Sequence, residues 1–424
     1  MQGEISRSDD AMQVRVGTMG MFIIDTFQYF NEETGEDLGN KGLDDQIGGG
    51  GCYFAIGARM WLPPYAVQMI IDRGSDWRSA WQEVLDRFDM TPAAADTRSM
   101  WHYRSRPDGT TRAVNIYRGD NRGFDYLSPK IRLEPPDLLS ASPCSPPTLP
   151  KWLHLICSPD RAIETLAQID RAMREARDAG RIHLVPPRLV YEPIPDSCIF
   201  ANLHACMTVL PRLAVFSPNH EEAASLLGLT DEWQAVVTTA KRDQSGASSS
   251  HILDFIEHKL ARKFVHLFLE QSHADESDPS GKGSRPSGPV ICIRSGAWGS
   301  VVGRAGLEFF RVPAWHSTNP VRTQLPDCSA DKIRDVTGAG NSFLGGFTAH
   351  LSKEAGDNFD SLSPASQQKA MIRAAMYGSV SASLVIEQLG LPDFEVRNGA
   401  ELWNGARISD RLQVLENRMA SIAS

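Results

Sequence analysis

The stretch Asp335-Val-Thr-Gly-Ala-Gly-Asn-Ser-Phe-Leu-Gly-Gly-Phe347 constrains this chain more than any other. Gly338, Ala339 and Gly340 are small residues just ahead of a helical pattern in which Phe343, Phe347 and Leu351 recur every four positions. A glycine turn that feeds a helix start gathers unpaired backbone N–H groups and the positive end of the helix dipole at one spot, which is an anion site. A tight turn ahead of a core helix satisfies the same spacing, so a bare GxG leaves both readings standing. The acid at 335, Thr337 inside the turn and the Gly345-Gly346 pair in the helix carry the pattern beyond a bare GxG.

Composition narrows the partners. Of 424 residues, 43 are Lys or Arg and 52 are Asp or Glu, a net charge of −9 that disfavours nonspecific grip on nucleic acid or an anionic membrane. With 42% hydrophobic and 22% charged residues the chain has globular content, and global disorder is excluded. Apolar runs such as Met19 to Ile24 fall short of the roughly 20 residues of a membrane helix. The start, MQGEISRSDD, has no apolar core of a secretory signal, so the expected location is cytoplasmic. Seven scattered cysteines with no CxxC pair and no Cys/His cluster read as reduced thiols. A GxSxG elbow, a P-loop, a GxGxxG turn and HExxH are all missing from the sequence.

Length alone allows two or three domains, or one large α/β unit. Val14 to Asp25 is an apolar run with Gly17 and Gly20 inside it, the pattern of a buried strand beside a ligand or a close backbone. YFAIGARMWLP and Trp77 to Phe88 are expected helices. Between Thr97 and Tyr126, strand-like segments flank Asp108-Gly109, a hairpin signal, and suggest a small projecting sheet. Residues 135 to 150 hold six prolines and read as a connector. KWLHLICS, Asp160 to Ala179, RIHLVPP, Ala201 to Leu210 and LAVFSPN then alternate strand and helix, which predicts a parallel sheet with covering helices. Gln271 to Pro289 reads as a disordered insertion, after which VICIRSGAWGSVVG resumes as strand, turn and strand. The end, ISDRLQVLENRMASIA, is an amphipathic helix.

With these pieces in order, the Asp335 segment resembles the second signature, D-T-x-G-A-G-D, of the PfkB or ribokinase-like family of sugar and nucleoside kinases. Asp25 is placed like the family aspartate that binds substrate hydroxyls, and Gly48 to Gly51 with Ala58-Arg59 resembles the first, glycine-rich signature. Asn219 and Glu222 in SPNHEE resemble its N-x-x-E motif, and Ala374 to Pro392 is similar to the helix near the adenine pocket. The resemblance runs from about Val14 to Pro392 and implies an α/β fold: a central, mostly parallel sheet flanked by helices, with a small β lid, for which 97–128 is the candidate. It implies a flexible start over 1–13, one kinase-like unit over 14–396 with the insertion at 271–289, and a C-terminal helical extension over 397–424.

The resemblance also implies ATP with Mg2+, room for a monovalent cation, a small hydroxyl substrate, no nucleic acid or membrane partner, and a monomer or homodimer. Gly338, Ala339 and Gly340 would form the anion hole; Asn219, Arg294, Gly296 and Thr337 would face the nucleotide; Asp25, Gly48, Gly49 and Gly50 would face the substrate. Glu222, through water, and Asp335 would serve the metal. The sequence departs from the family where the motif's last residue, a proton-accepting aspartate, is Asn341, whose amide orients a hydroxyl but takes no proton. Cys52, Tyr53 and Phe54 follow the glycines where an Asn is usual, and Arg294 stands where Thr is common. In these departures the chain is similar to the fungal maintenance-of-killer subgroup. A weakened phosphotransferase and a nucleotide- or metabolite-binding pseudokinase with a regulatory or scaffolding role both follow. Read without the family, Asp25 is equally a strand-end residue, and Asn219 with Glu222 equally a helix cap and its first-turn acid.

Overall fold

The computed structural model describes residues 13–43, 45–92, 97–118, 121–181, 185–242, 248–274, 288–316, 329–354 and 359–423. The expected flexible start lies almost wholly outside the described residues, as does 275–287 of the expected insertion. In chain order the strands are β1 (Val16–Thr18), β2 (Ile23–Phe30), β3 (Gln46–Gly48), β4 (Val67–Arg73), β5 (Trp101–Ser105), β6 (Arg112–Arg118), β7 (Asn121–Tyr126), β8 (Trp152–Cys157), β9 (Arg188–Pro193), β10 (Leu213–Phe216), β11 (Val290–Arg294), β12 (Ser300–Gly303), β13 (Phe310–Val312), β14 (Phe394–Arg397) and β15 (Ala400–Trp403).

Nine strands form the main sheet in the order β13-β12-β11-β10-β9-β8-β1-β4-β5. Its pairings are parallel except β11 with β12 and β12 with β13. Such a sheet is buried on both faces, which is why its strands read as near-continuous apolar runs. Along β9 Leu189 and Tyr191 face one core and Val190 the other. The first core holds the helices Gly50–Arg59, Ala339–Glu354 and Pro364–Val385, and the second the helices Pro159–Asp178, Leu203–Val209 and Arg262–Ala274. The Gly345-Gly346 pair lets helices touch on two sides: a Cβ at Gly345 would stand 2.7 Å from Ala58 N, and one at Gly346 would stand 2.7 Å from Tyr377 O.

A second sheet, β3-β2-β6-β7, carries the hydroxyl-binding candidate Asp25. The single strand expected over Val14 to Asp25 is thus two, in different sheets, because Gly20 breaks the run where it meets the backbone of Gly51, with a Cβ there 2.6 Å from Gly51 N. The segment 97–128 also divides: β5 joins the main sheet beside β4, while β6 and β7 join the second. Asp108-Gly109 is therefore a crossing between sheets and not a hairpin turn; the hairpin is β6 with β7. The proline-rich connector begins with a helix, Pro135–Ser140, whose prolines occupy its first turn, where an N–H is not needed. Residues 182–184 of the strand expected in RIHLVPP lie outside the described residues, and the next strand is β9.

Residues after 396 pack into the first core, with Trp403 and Leu415 fully buried. β14 and β15 form a hairpin at Asn398-Gly399, both at positive φ (53° and 72°), a turn signal that the sequence carried openly. Arg59, only 1% exposed, donates to both carboxylate oxygens of Glu401 at 3.0 and 2.8 Å. It also donates to the carbonyls of Phe88 and Met90, each at 2.7 Å. Glu401→Ala strands that guanidinium and is expected to cost about 3 kcal/mol in urea denaturation. Arg59→Met with Glu401→Leu should recover most of the loss, and a double variant no better than the single would disprove the account.

Candidate active site

The helix Ala339–Glu354 starts from Gly338, which sits at φ 76°. The first bond of that helix start is Ser342 N to Gly338 O at 2.9 Å, so the N–H groups of Gly340 and Asn341 precede the intrahelical ladder. Asp335 holds the turn through Oδ1, which accepts from Thr337 N at 3.0 Å and from the Thr337 hydroxyl at 2.8 Å. Two side chains lie over this end. A Cβ at Gly338 would overlap the Tyr53 ring, and one at Gly340 would overlap Arg294 Nη1.

Arg294, the last residue of β11, is buried. Its Nη1 lies 2.6 Å from Glu192 Oε1, and its Nη2 donates to Ser217 O at 3.0 Å and stands 3.6 Å from Glu222 Oε2. Glu192, at the end of β9, accepts from Asn341 Nδ2 at 2.8 Å through Oε2, which also lies 3.2 Å from His154 Nε2. Burial opposes charge on Glu192, but Arg294 together with the His154 and Asn341 hydrogen bonds outweighs it and holds the carboxyl below its usual range. Burial lowers His154, which stays neutral. The ionised Glu192 can only accept, which places the ring proton of the neutral His154 on Nε2 and leaves Nδ1 to accept from the Thr18 hydroxyl at 2.9 Å, while Thr18 Oγ1 itself accepts from Gly20 N at 2.9 Å. Phe54 stacks on that ring at 4.0 Å.

Asn219 and Glu222 form a reciprocal cap: Glu222 N donates to Asn219 Oδ1 at 2.8 Å, and Asn219 N donates to Glu222 Oε2 at 2.7 Å. Glu222 has the weaker claim on Arg294, and burial pushes it up to about 7 against the pull of that cation. Among the described residues no three His, Cys, Asp or Glu side chains converge as metal ligands. A magnesium ion held directly by the protein does not fit here, because Glu222 is engaged in its cap and faces Arg294. An ion carried in on nucleotide phosphates, with water between it and Glu222, does fit.

Gly50 joins the two halves of the site, since a Cβ on it would stand 3.2 Å from Asn341 Nδ2. Gly48 lies against the buried Asp25 carboxylate, and Gly49, at φ 93°, is the turn between them and the helix Gly50–Arg59. Gly50 also lines a cavity of about 130 Å³ at the carboxyl ends of β1, β8 and β9, roofed by Tyr126 of the second sheet. Ligands of open α/β sheets bind at that end of the strands. Cys52, Tyr53 and Phe54 are buried elsewhere and do not line it.

The structure thus brings Gly338, Ala339, Gly340, Asn341, Thr337, Asp335, Arg294, Asn219, Glu222 and Gly50 into one neighbourhood. Gly296, at φ 54° just after β11, has open space around it. Sequence reasoning missed Glu192, His154 and Thr18, although a glutamate closing the apolar run LVYEP and a histidine inside LHLIC were both anomalies that a buried polar pair explains.

No protein-family model matches the chain. It is 29% identical over 417 residues, 95% of the chain and 93% of the relative, to an uncharacterized protein of Schizosaccharomyces pombe. Protein MAK32 of Saccharomyces cerevisiae is 28% identical over 409 residues, 93% of this chain and 90% of that one. Among solved structures, ribokinase of Cryptococcus neoformans in complex with ADP superposes with a TM-score of 0.51 at 18% identity, covering 96% of this chain and 99% of that one. The fold is ribokinase-like, a large, mostly parallel sheet flanked by helices with smaller sheets beside it. No helix among the described residues is long and apolar enough to cross a membrane.

Proposed function

We propose that this ribokinase-like chain is a phosphotransferase that moves a phosphoryl group from ATP, taken with Mg2+, to a hydroxyl of a small sugar, polyol or nucleoside. The observation that supports it most is the junction at Gly50. There the start of a long helix, with N–H groups ahead of its ladder and a buried arginine beside them, meets a small-molecule cavity at the strand ends. The N–H groups of Gly340 and Asn341, set by the turn at Gly338, would stabilise charge on the transferring group, whereas Ala339 N is taken by Val336 O at 3.2 Å; Arg294 lies beside them, with Asn219, Gly296 and Thr337 on the nucleotide side. Gly50 would face the substrate in the cavity, while Asp25, Gly48 and Gly49 stand behind it outside the lining.

Asn341 is tied through Nδ2 to Glu192, so its Oδ1 is the atom left to accept from a substrate hydroxyl. It orients and does not deprotonate. Phosphoryl transfer has a loose transition state that relies on positioning and charge more than on a base, so turnover without one is slow but real. The same tie favours a second reading, nucleotide binding without useful turnover and a regulatory role. Calorimetry of the full chain with MgATP tests both: binding is expected, and a folded sample that binds no MgATP would sink them together. A phosphotransfer assay across neutral and acidic sugars, polyols and nucleosides then separates them, since turnover with any acceptor refutes the binding-only reading.

A further inference from the structure

The cavity at the strand ends has a one-sided charge. Its basic lining residues are Lys130, Arg132 and Arg161, and among the described residues no Asp or Glu lines it. Arg161 is anchored from outside, by Glu164 at 2.6 Å and Glu134 at 3.2 Å, whose side chains are 57% and 47% exposed. Lys130 and Arg132 form no ion pair among the described residues; Lys130 Nζ only rests 4.3 Å above the Tyr126 ring. Arg132 and Arg161 line the same cavity. Burial pushes the Cys157 thiol, also in the lining, up to about 12, and both Arg161 and Arg132 draw it down. Asp25 and Asp196 are felt at Tyr126, after burial, yet neither lines the cavity.

A neutral sugar leaves this charge unanswered. Cations gathered on one cleft concentrate anions there, and a guanidinium or ammonium pairs most strongly with a phosphate or carboxylate. We propose that the cavity takes a hydroxyl compound that already bears an anionic group, a phosphate monoester or a carboxylate. The anion sits among Lys130, Arg132 and Arg161, and a hydroxyl points to Gly50 and Asn341. This rests on the phosphotransferase reading and narrows its substrate class. Lys130 and Arg132 set specificity through charge that a neutral acceptor does not use.

The test is calorimetric titration of the full chain, without nucleotide, using matched probes: ribose and ribose 5-phosphate, glucose and gluconate, and inorganic phosphate as the bare anion. At least one acidic probe should bind ten or more times tighter than its neutral partner, and the phosphate and carboxylate arms tell which anion is preferred. Lys130→Ala with Arg132→Ala, both at exposed positions, should erase that preference and leave MgATP affinity within about twofold. Neutral probes binding as well as acidic ones overturns the proposal. So does a preference that survives the double variant, or failure of every acidic probe to bind a protein that takes MgATP. Parallel loss of MgATP binding in the variant also overturns it, because the cavity would then hold nucleotide phosphates. A wild type that binds an acidic probe but no MgATP instead strikes the phosphotransferase reading and leaves the anion cavity in place.

Discussion

Asn341→Asp is expected to destabilise the protein by about 3 kcal/mol or more near neutral pH, because it sets a second carboxylate 2.8 Å from the place where Glu192 accepts a hydrogen bond. The amide donor is lost and two acids share one site, so one carboxyl is driven to hold a proton. Its folded pKa then lies above its unfolded value. The folded variant binds more protons than the unfolded one, and its stability falls as pH rises from the ordinary carboxylate range toward the raised value. The deficit relative to wild type should therefore be smaller at pH 5 than at pH 8 in parallel urea melts. A deficit that does not depend on pH would refute the shared-proton account. The compensated pair, Asn341→Asp with Glu192→Gln, keeps one carboxylate and one amide with their roles exchanged. It ends the two-acid conflict but also takes from Arg294 its partner at 2.6 Å, so stability should recover only in part, and it is the variant expected to raise phosphotransfer, by roughly 10² to 10⁴ if a base at 341 is what the site lacks. The single substitution is a poor test of that point, since it adds the base and breaks its support together.

Gly338→Ala should be the most damaging change at the helix start. The residue stands at φ 76°, and a Cβ there overlaps the ring of Tyr53, which is 3% exposed. Left-handed backbone costs a non-glycine residue about 1–2 kcal/mol, and overpacking adds about 1–3 kcal/mol. The sum, roughly 2–5 kcal/mol, should appear as a large drop in the denaturation midpoint. Made in a Tyr53→Ala background, Gly338→Ala should cost only the backbone strain relative to Tyr53→Ala alone; no remaining cost would show that the turn does not need glycine. Substitution at Gly338 thus reports on folding before it reports on anion binding. Gly296→Ala, with nothing within 4 Å of the added methyl, is the milder probe of the nucleotide side.

The glycine turn, its helix and the parallel sheet were legible because each depends on local spacing: small residues before a four-residue period, and apolar runs bounded by turns. Gly345 and Gly346 stood out for a reason that only packing supplies, the touching of two neighbouring helices. Glu192 and His154 were not legible as a pair, since 38 residues separate them and only the adjacency of β8 and β9 joins their side chains. Nor was the cavity charge. Lys130 and Arg132 read as ordinary surface cations until the chain after β7 folds back over Gly50 and the end of β8. The division of 97–128 between two sheets escaped because Asp108-Gly109 has the chemistry of a hairpin turn, and nothing local says which sheet each flanking strand will join.

The strand order bears on how the protein is made. β1 pairs with β4 on one side, Val16 opposite Val67, and on the other with β8, Val16 opposite Trp152. A nascent chain that has reached β7 can assemble β5, β4 and β1, and can close the second sheet by pairing Ile24 with Arg112. One edge of β1 then stays open until β8 leaves the ribosome. Such an edge invites pairing with another chain, so a pause or truncation between residues 127 and 151 leaves the protein open to aggregation during synthesis.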